Sequence, residues 1–167
     1  FAEAPAAAID GFVYQPDFLS RNEEAALIEI VQRLPLQEML YKGYTARRRG
    51  LSFGGNYDFD AGEMISPHTL APELEPLRAR VGQWLGVPAS DLVHALVSEY
   101  RPGTPLGWHR DQPAHEAIAG VSLASVAELQ FRPYQEPDSK EILTWAVEPR
   151  SIYVMRNAAR WDWQHRV

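Results

Sequence analysis

The chain contains no cysteine. That excludes disulfides and thiolate metal sites, and it is compatible with a reducing, cytoplasmic setting. It also lacks any apolar run near ~18 residues, the length a membrane-crossing helix needs, so no membrane partner is expected. No basic-then-apolar leader opens it. The stretch from Phe1 to Ile9 is alanine-rich but short and carries Glu3, and it reads as a loosely held terminus. Basic residues are in the minority, 16 Lys and Arg against 22 Asp and Glu, for a net charge of −6. This disfavours a general nucleic-acid binder, which needs clustered cations to meet phosphates. Internal repeats are absent. What is present is 167 residues at 46% hydrophobic content, sized for one globular domain over 1–167 with a substantial core.

Helix signals come early. Phe12 to Leu19 reads as a short strand and turn. Ser20-Arg21-Asn22-Glu23 is a capping box, the serine and glutamate each able to serve the other's backbone N–H. Leu27, Val31 and Leu34 then share one helix face, and Pro35 closes the helix. A second helix is predicted over Pro72 to Leu85, stopped by Gly86. From Leu92 onward the pattern is strands and turns. Leu92 to Tyr100 is rich in β-branched, apolar and aromatic residues, and Arg101-Pro102-Gly103-Thr104-Pro105 is a turn. Further stretches follow at Leu106 to Trp108, Gly120 to Leu123, Leu129 to Arg132, Pro149 to Met155 and Ala159 to His165. Helices followed by short strands make an α+β domain, with the two helices packed on one sheet.

Chemistry concentrates at Trp108-His109-Arg110-Asp111 and at His165. Residues two apart on a strand share a face, so His109 and Asp111 can bind one ion while Arg110 points away. The gap to His165 suits three or four short strands that return the chain to the same place. Two imidazoles and a carboxylate form a facial triad that leaves positions open, as an oxygen-activating iron(II) centre requires; by ligand type alone Fe, Mn, Zn and Ni are equally suited. A second local feature is Arg47-Arg48-Arg49, followed by Gly50-Leu51-Ser52-Phe53-Gly54-Gly55-Asn56-Tyr57. Cations beside Phe53 and Tyr57 in a glycine-rich segment could grip phosphates and stack a base. The bland reading is a solvated arginine run before a flexible hairpin.

These pieces together resemble the AlkB family of iron(II)- and 2-oxoglutarate-dependent dioxygenases. The resemblance runs from about Arg47 to the end. It is carried by Tyr100-Arg101-Pro102-Gly103 leading into Gly107-Trp108-His109-Arg110-Asp111, by Gly120-Val121-Ser122-Leu123, and by Glu148-Pro149-Arg150-Ser151 running into Trp163-Gln164-His165. It implies a double-stranded β-helix, or jelly-roll, over about 92–167, and a substrate lid over about 40–65. It makes His109, Asp111 and His165 the iron ligands. Tyr100 falls at the tyrosine that contacts 2-oxoglutarate, Leu96 at an apolar contact to that cosubstrate, and Ser98 where many members carry an asparagine. Serine offers one hydroxyl in place of an amide. Arg160 resembles an arginine near the substrate mouth, and Arg48, Phe53 and Tyr57 fall in the lid.

The family also holds the 2-oxoglutarate carboxylates with arginines on a strand after the last histidine. This sequence ends at Val167, two residues past His165, and begins with Phe1, so it is expected to be part of a longer protein, cut at its C-terminus. The leading expectation is an enzyme that carries out oxidative demethylation of N-alkylated bases, releasing formaldehyde, succinate and CO2. Its partners would be O2 and single-stranded or flipped-out alkylated nucleic acid, since a base inside a duplex cannot reach a buried metal. A monomer is expected. One alternative keeps the oxygenase and changes the substrate to a protein or small molecule. Another is a non-catalytic, metal-stabilised binding module. Trp161 and Trp163 read as core fillers, His94 as an ordinary strand histidine and Arg150 as a structural turn residue; His68 and His115 receive no role.

Overall fold

A computed structural model describes residues 9–41, 44–54, 56–58, 63–65, 69–103, 106–111, 115–136 and 138–167. In chain order the elements are β1 (Phe12–Gln15), α1 (Arg21–Arg33), β2 (Gln37–Tyr41), β3 (Tyr44–Phe53), β4 (Asn56–Asp58), β5 (Glu63–Ile65), α2 (Glu75–Leu85), β6 (Ala95–Tyr100), β7 (Ile118–Val121), β8 (Ala127–Pro133), β9 (Leu143–Val147), β10 (Ile152–Met155), α3 (Asn157–Trp161) and β11 (Trp163–Arg166). They fall into two compact units, one formed by Phe1–Ile28 with Pro105–Val167, the other by Glu29–Thr104.

The first unit is a pair of antiparallel three-stranded sheets, ordered β1-β10-β7 and β11-β8-β9. Alternation along the strands sends one set of side chains between them. Phe12 and Met155 from one sheet meet Leu129, Phe131, Trp145 and Val147 from the other in a single buried cluster. Phe12 sits edge-on to Phe131, with ring centroids 5.1 Å apart, and edge-on to Trp145 at 6.0 Å. Each fully buried ring of this kind contributes roughly 1.5–3 kcal/mol. This is the sandwich expected of a jelly-roll. Gly11 sets the entry to β1: its φ is +86° and a side chain there would overlap the carbonyl of Arg156, whose N–H donates to Gly11 O at 3.1 Å. Only glycine meets both demands.

The capping box forms as the sequence predicts, with Ser20 N donating to Glu23 Oε1 at 2.9 Å and Glu23 N to Ser20 Oγ at 3.1 Å. The next residue, Glu24, bonds to a distant stretch of the same unit. Its Oε2 accepts from Ala124 N at 3.0 Å and its Oε1 from Arg150 at 3.0 Å. Ala124 and Arg150 are both left-handed, with φ of 75° and 69°. One carboxylate thus holds two strained corners, and burial of that carboxylate is outweighed by these bonds and by the Arg150 and Arg21 charges, so its pKa lies below the ordinary range. Arg150 is the turn residue expected. Glu24→Ala should cost about 1–3 kcal/mol by leaving the Ala124 N–H and the Arg150 guanidinium without their carboxylate partner. Thermal melts of Glu24→Ala and Glu24→Gln check it, the glutamine variant retaining most of the stability through its amide oxygen; equal melting of Glu24→Ala and the parent would refute the clamp.

In the second unit, β2-β3-β6 form one sheet and β4-β5 a two-stranded ribbon. The α2 helix begins after a 3₁₀ turn at Pro72–Leu74 and stops at Gly86, whose φ is +75°, as predicted. Other expectations are corrected. The strand predicted over Leu92 to Tyr100 starts only at Ala95, because Arg78 Nε takes the Leu92 carbonyl at 3.0 Å in place of a ladder partner. His94 therefore precedes the strand. The arginine run lies in β3, a ten-residue strand, so strands begin well before Leu92. The stretch Ala159 to His165 is not one strand: α3 occupies Asn157–Trp161, and Trp161 is 38% exposed, not a core filler. Trp163, half-buried, does pack against the core cluster. Phe1 to Ala8, His68, Thr104 and Pro105 lie outside the described residues, as do the side chains of Arg47 and Tyr57.

Candidate metal centre

The site is built on one short antiparallel pairing. His109 and His165 exchange both backbone bonds, His109 N to His165 O at 3.0 Å and His165 N to His109 O at 2.9 Å. The next exchange joins Leu106 with Val167, at 3.2 and 3.1 Å. Three steps on one side match two on the other, so an extra residue bulges between Leu106 and His109, and the predicted strand there is reduced to an isolated bridge. Inside the bulge, Gly107 O lies 2.7 Å from His109 Nδ1. A carbonyl only accepts, so Nδ1 carries the proton and Nε2 keeps its lone pair. This orienting carbonyl is a backbone group with no signature in the sequence. On the other side, β11 pairs with β8 and sets His165 opposite Phe131.

The result is convergence. One ligand atom each from His109, Asp111 and His165 lies within 4.8 Å of the others. His109 Nε2 is 3.5 Å from Asp111 Oδ1, and His165 Nε2 is 3.5 Å from Asp111 Oδ2. Asp111 Oδ2 is buried with no hydrogen-bond partner among the described residues. A carboxylate facing two imidazole nitrogens, one of its oxygens buried and unpartnered, fits a divalent cation. Burial pushes His165 down to about 4, with Asp111 pulling the other way and His109 and Arg160 adding to the depression. Burial opposes ionisation of Asp111, but the His109 bond and the nearby His165, His109 and Arg160 charges outweigh it and hold the carboxyl below its ordinary value. His165 is thus neutral and Asp111 ionised at neutral pH, the protonation states that metal ligation requires of them.

A pH dependence follows. The folded pKa of His165 is below its value in the unfolded chain, so the unfolded state takes the proton first as pH falls. The metal-free protein should lose about 3 kcal/mol between about pH 6.5 and pH 4 from this group. Asp111 extends the loss to lower pH. Denaturant midpoints of chelated protein across that window test it; a midpoint independent of pH would exclude the buried neutral histidine.

Arg160, 2% exposed, is not open to a substrate. Its Nε donates to His115 O at 2.8 Å and an NH2 to Asp111 O at 3.2 Å, so it ties the backbone of Asp111 to that of His115. The arginine that the resemblance puts near the substrate mouth is thus a buried side chain bonded to backbone. Phe53 is corrected: at 5% exposure its ring is inside the second unit and offers no face to a base. In that unit Arg48 faces Tyr100 across the β3-β6 pairing and donates to its hydroxyl at 3.1 Å. Arg49 makes a two-point bond to Glu99, at 2.8 and 2.9 Å. Leu96 and Tyr100 are exposed and Ser98 is half-buried, all three on one face of β6.

A family model described as the 2OG-Fe(II) oxygenase superfamily matches residues 11–167. The chain belongs to that superfamily, which implies Fe(II) as metal and 2-oxoglutarate as cosubstrate. Within it the similarity is to AlkB homologues, as the motifs indicated. The chain is 30% identical over 156 residues to the zebrafish (Danio rerio) "Probable RNA/DNA demethylase ALKBH6", covering 86% of this chain and 63% of that one. It is 27% identical over 162 residues to the mouse (Mus musculus) mitochondrial "Alpha-ketoglutarate-dependent dioxygenase alkB homolog 7", covering 95% and 67%. It is 27% identical over 114 residues to "Uncharacterized protein L905" of Acanthamoeba polyphaga mimivirus, covering 63% and 53%. The chain therefore spans only 53% to 67% of the length of these relatives. The solved structure of OsALKBH1 superposes with a TM-score of 0.70 at 17% identity, over 94% of this chain and 84% of that one, and shares the fold. No helix among the described residues is long and apolar enough to cross a membrane.

Proposed function

We propose that this chain is the catalytic part of an Fe(II)/2-oxoglutarate dioxygenase that demethylates N-alkylated bases in single-stranded or flipped-out nucleic acid, with His109, Asp111 and His165 as the metal ligands. The observation that carries the reading is the convergence of two imidazole Nε2 atoms and a buried, unsatisfied carboxylate oxygen on one point. The chemistry that iron(II) and 2-oxoglutarate supply when bound is oxidation of the N-alkyl carbon by O2, with succinate, CO2 and formaldehyde as products. The protein's own part is to hold ligands and exclude water. Gly107 fixes the His109 tautomer, and Arg160 holds the backbone of Asp111 in place.

Tyr100, Leu96 and Ser98 would face the cosubstrate. Because Arg48 can only donate, the Tyr100 hydroxyl accepts from it and keeps its own proton to offer a carboxylate. The segment from about 40 to 65 would cover the substrate, with Arg48 and Tyr57 toward the nucleotide, and 92–167 would form the jelly-roll. The similarity to a protein named a probable RNA/DNA demethylase supports nucleic acid as the substrate class.

The test uses the full-length protein with Fe(II), 2-oxoglutarate and air. Single-stranded oligonucleotides carrying 1-methyladenine or 3-methylcytosine are followed by mass spectrometry, and succinate is measured alongside. Demethylation is the expected result. Succinate without demethylation moves the substrate to a protein or small molecule. No succinate, and no calorimetric binding of 2-oxoglutarate in the absence of oxygen, leaves a metal-stabilised binding module.

A further inference from the structure

Trp108 and Arg110 flank the metal ligand His109 and point to the opposite side of the chain. What they meet there is unusual for a protein of net charge −6. The guanidinium carbons of Arg132, on β8, and Arg166, on β11, each lie 4.5 Å from the centre of the Trp108 ring. Arg110 lies 3.6 Å from the centre of the Tyr134 ring and donates to Trp161 O at 3.1 Å. All of this is on the side of the β11-β8-β9 sheet away from His165 and Phe131, because these residues alternate with those two along their strands.

The partners of the two strand arginines are neutral. Arg132 Nε donates to Gln164 Oε1 at 2.9 Å, directly across the strand pair. Arg166 Nε donates to Gln130 Oε1 at 2.6 Å, again directly across, and Gln130 passes its amide on to Thr144 Oγ1 at 3.1 Å. The pattern is reciprocal, with one arginine and one glutamine on each strand. It fixes the Nε edge of each guanidinium against an uncharged oxygen and a flat ring. Neither arginine, nor Arg110, forms an ion pair with a carboxylate among the described residues. Glu128 is the one carboxylate among the described strand residues on this side, and its side chain is two positions beyond Gln130. Three cations are therefore held in place, with most of their N–H groups unspent and their charge unneutralised.

We propose that this side of the sheet is a docking surface for the phosphodiester backbone of a nucleic-acid strand. Planar guanidinium forks held by their Nε edge present the two terminal nitrogens to phosphate oxygens in the geometry that bidentate contact requires. The Tyr134 ring, 39% exposed, adds flat apolar surface of the kind that lies beside sugars and bases, and Trp108 is half-buried between the arginines. The surface is distinct from the β3 arginines, one of which is neutralised by Glu99. It rests on the proposed function only for the identity of the anion.

The experiment is equilibrium binding of an unmethylated single-stranded oligonucleotide to the full-length protein across a salt series. Removing two phosphate contacts with Arg132→Gln/Arg166→Gln should weaken binding about tenfold or more and reduce the log–log salt slope by about 1.4. Arg132→Lys/Arg166→Lys keeps the charge, so it should keep most of the slope, and its thermal melt, with that of the glutamine variant, shows that the fold persists. Unchanged affinity and slope in a folded glutamine variant, from a protein that demethylates oligonucleotides, would overturn this surface alone. A parent protein that neither binds nor demethylates any oligonucleotide overturns both readings. Displacement of the oligonucleotide by polyglutamate at equal charge would assign the surface to an acidic protein instead.

Discussion

Asp111→Ala is expected to lower Fe(II) affinity by more than about a hundredfold, since even a change in the groups that orient a ligand costs 10–100-fold. Turnover should fall with it. The fold should not. In the metal-free protein the bonds and charges around the carboxylate outweigh its desolvation, so its removal should lower the melt modestly while the chain still folds. Anaerobic titration with Fe(II), or with Mn(II) as a redox-inert substitute, gives the affinity, and circular dichroism gives the melt. Asp162→Ala, at an exposed carboxylate in the turn before β11, is the control and should bind metal as the parent does. Retention of parental affinity by Asp111→Ala would remove Asp111 from the ligand set.

The second large effect concerns Phe131. The residue is 1% exposed, at the centre of the cluster that joins the two sheets of the first unit. Phe131→Ala leaves a cavity as well as losing buried area, at a cost of roughly 3–5 kcal/mol. For a protein of this size that is a fall in melting temperature of roughly 6–20 °C. The effect should reach the metal, because Phe131 is the cross-strand partner of His165 and their ring centres are 6.3 Å apart. Fe(II) affinity should therefore drop about tenfold, the scale of a lost supporting contact. Phe131→Leu, which fills most of the volume, should recover most of both. A melt within a few degrees of the parent would mean that the two sheets do not share this core.

What the sequence made legible was whatever depends on short-range chemistry. The capping box at Ser20, the stop at Gly86 and the alternation at His109 and Asp111 are each decided by neighbours within four residues. The convergence of His165 on that pair was inferred from a gap in the sequence and from family motifs, and it required the whole sandwich to bring it about. Less legible were features set by distant partners. Leu92 looks like strand, but its carbonyl is claimed by Arg78, a contact no local pattern encodes. Phe53 follows three arginines and precedes glycine, which suggested a displayed ring, whereas its position on β3 turns it inward. The Arg-Gln lattice beneath Trp108 was invisible because its members come from three separate stretches and only strand register aligns them.

The pairing of β1 with β10 has a consequence for the timing of assembly. Phe12 lies opposite Met155, so the first strand of this sheet waits for one made roughly 140 residues later. At about 5–20 residues per second on the ribosome, that wait is on the order of ten seconds. Glu24 waits in the same way for Ala124 and Arg150. The intervening Glu29–Thr104 unit is complete in sequence by then and can close on its own contacts. During the interval β1 has no ladder partner, and Phe12, destined for the core, is exposed to the cell. Nascent chains stalled before about residue 150 should therefore be clients of chaperones.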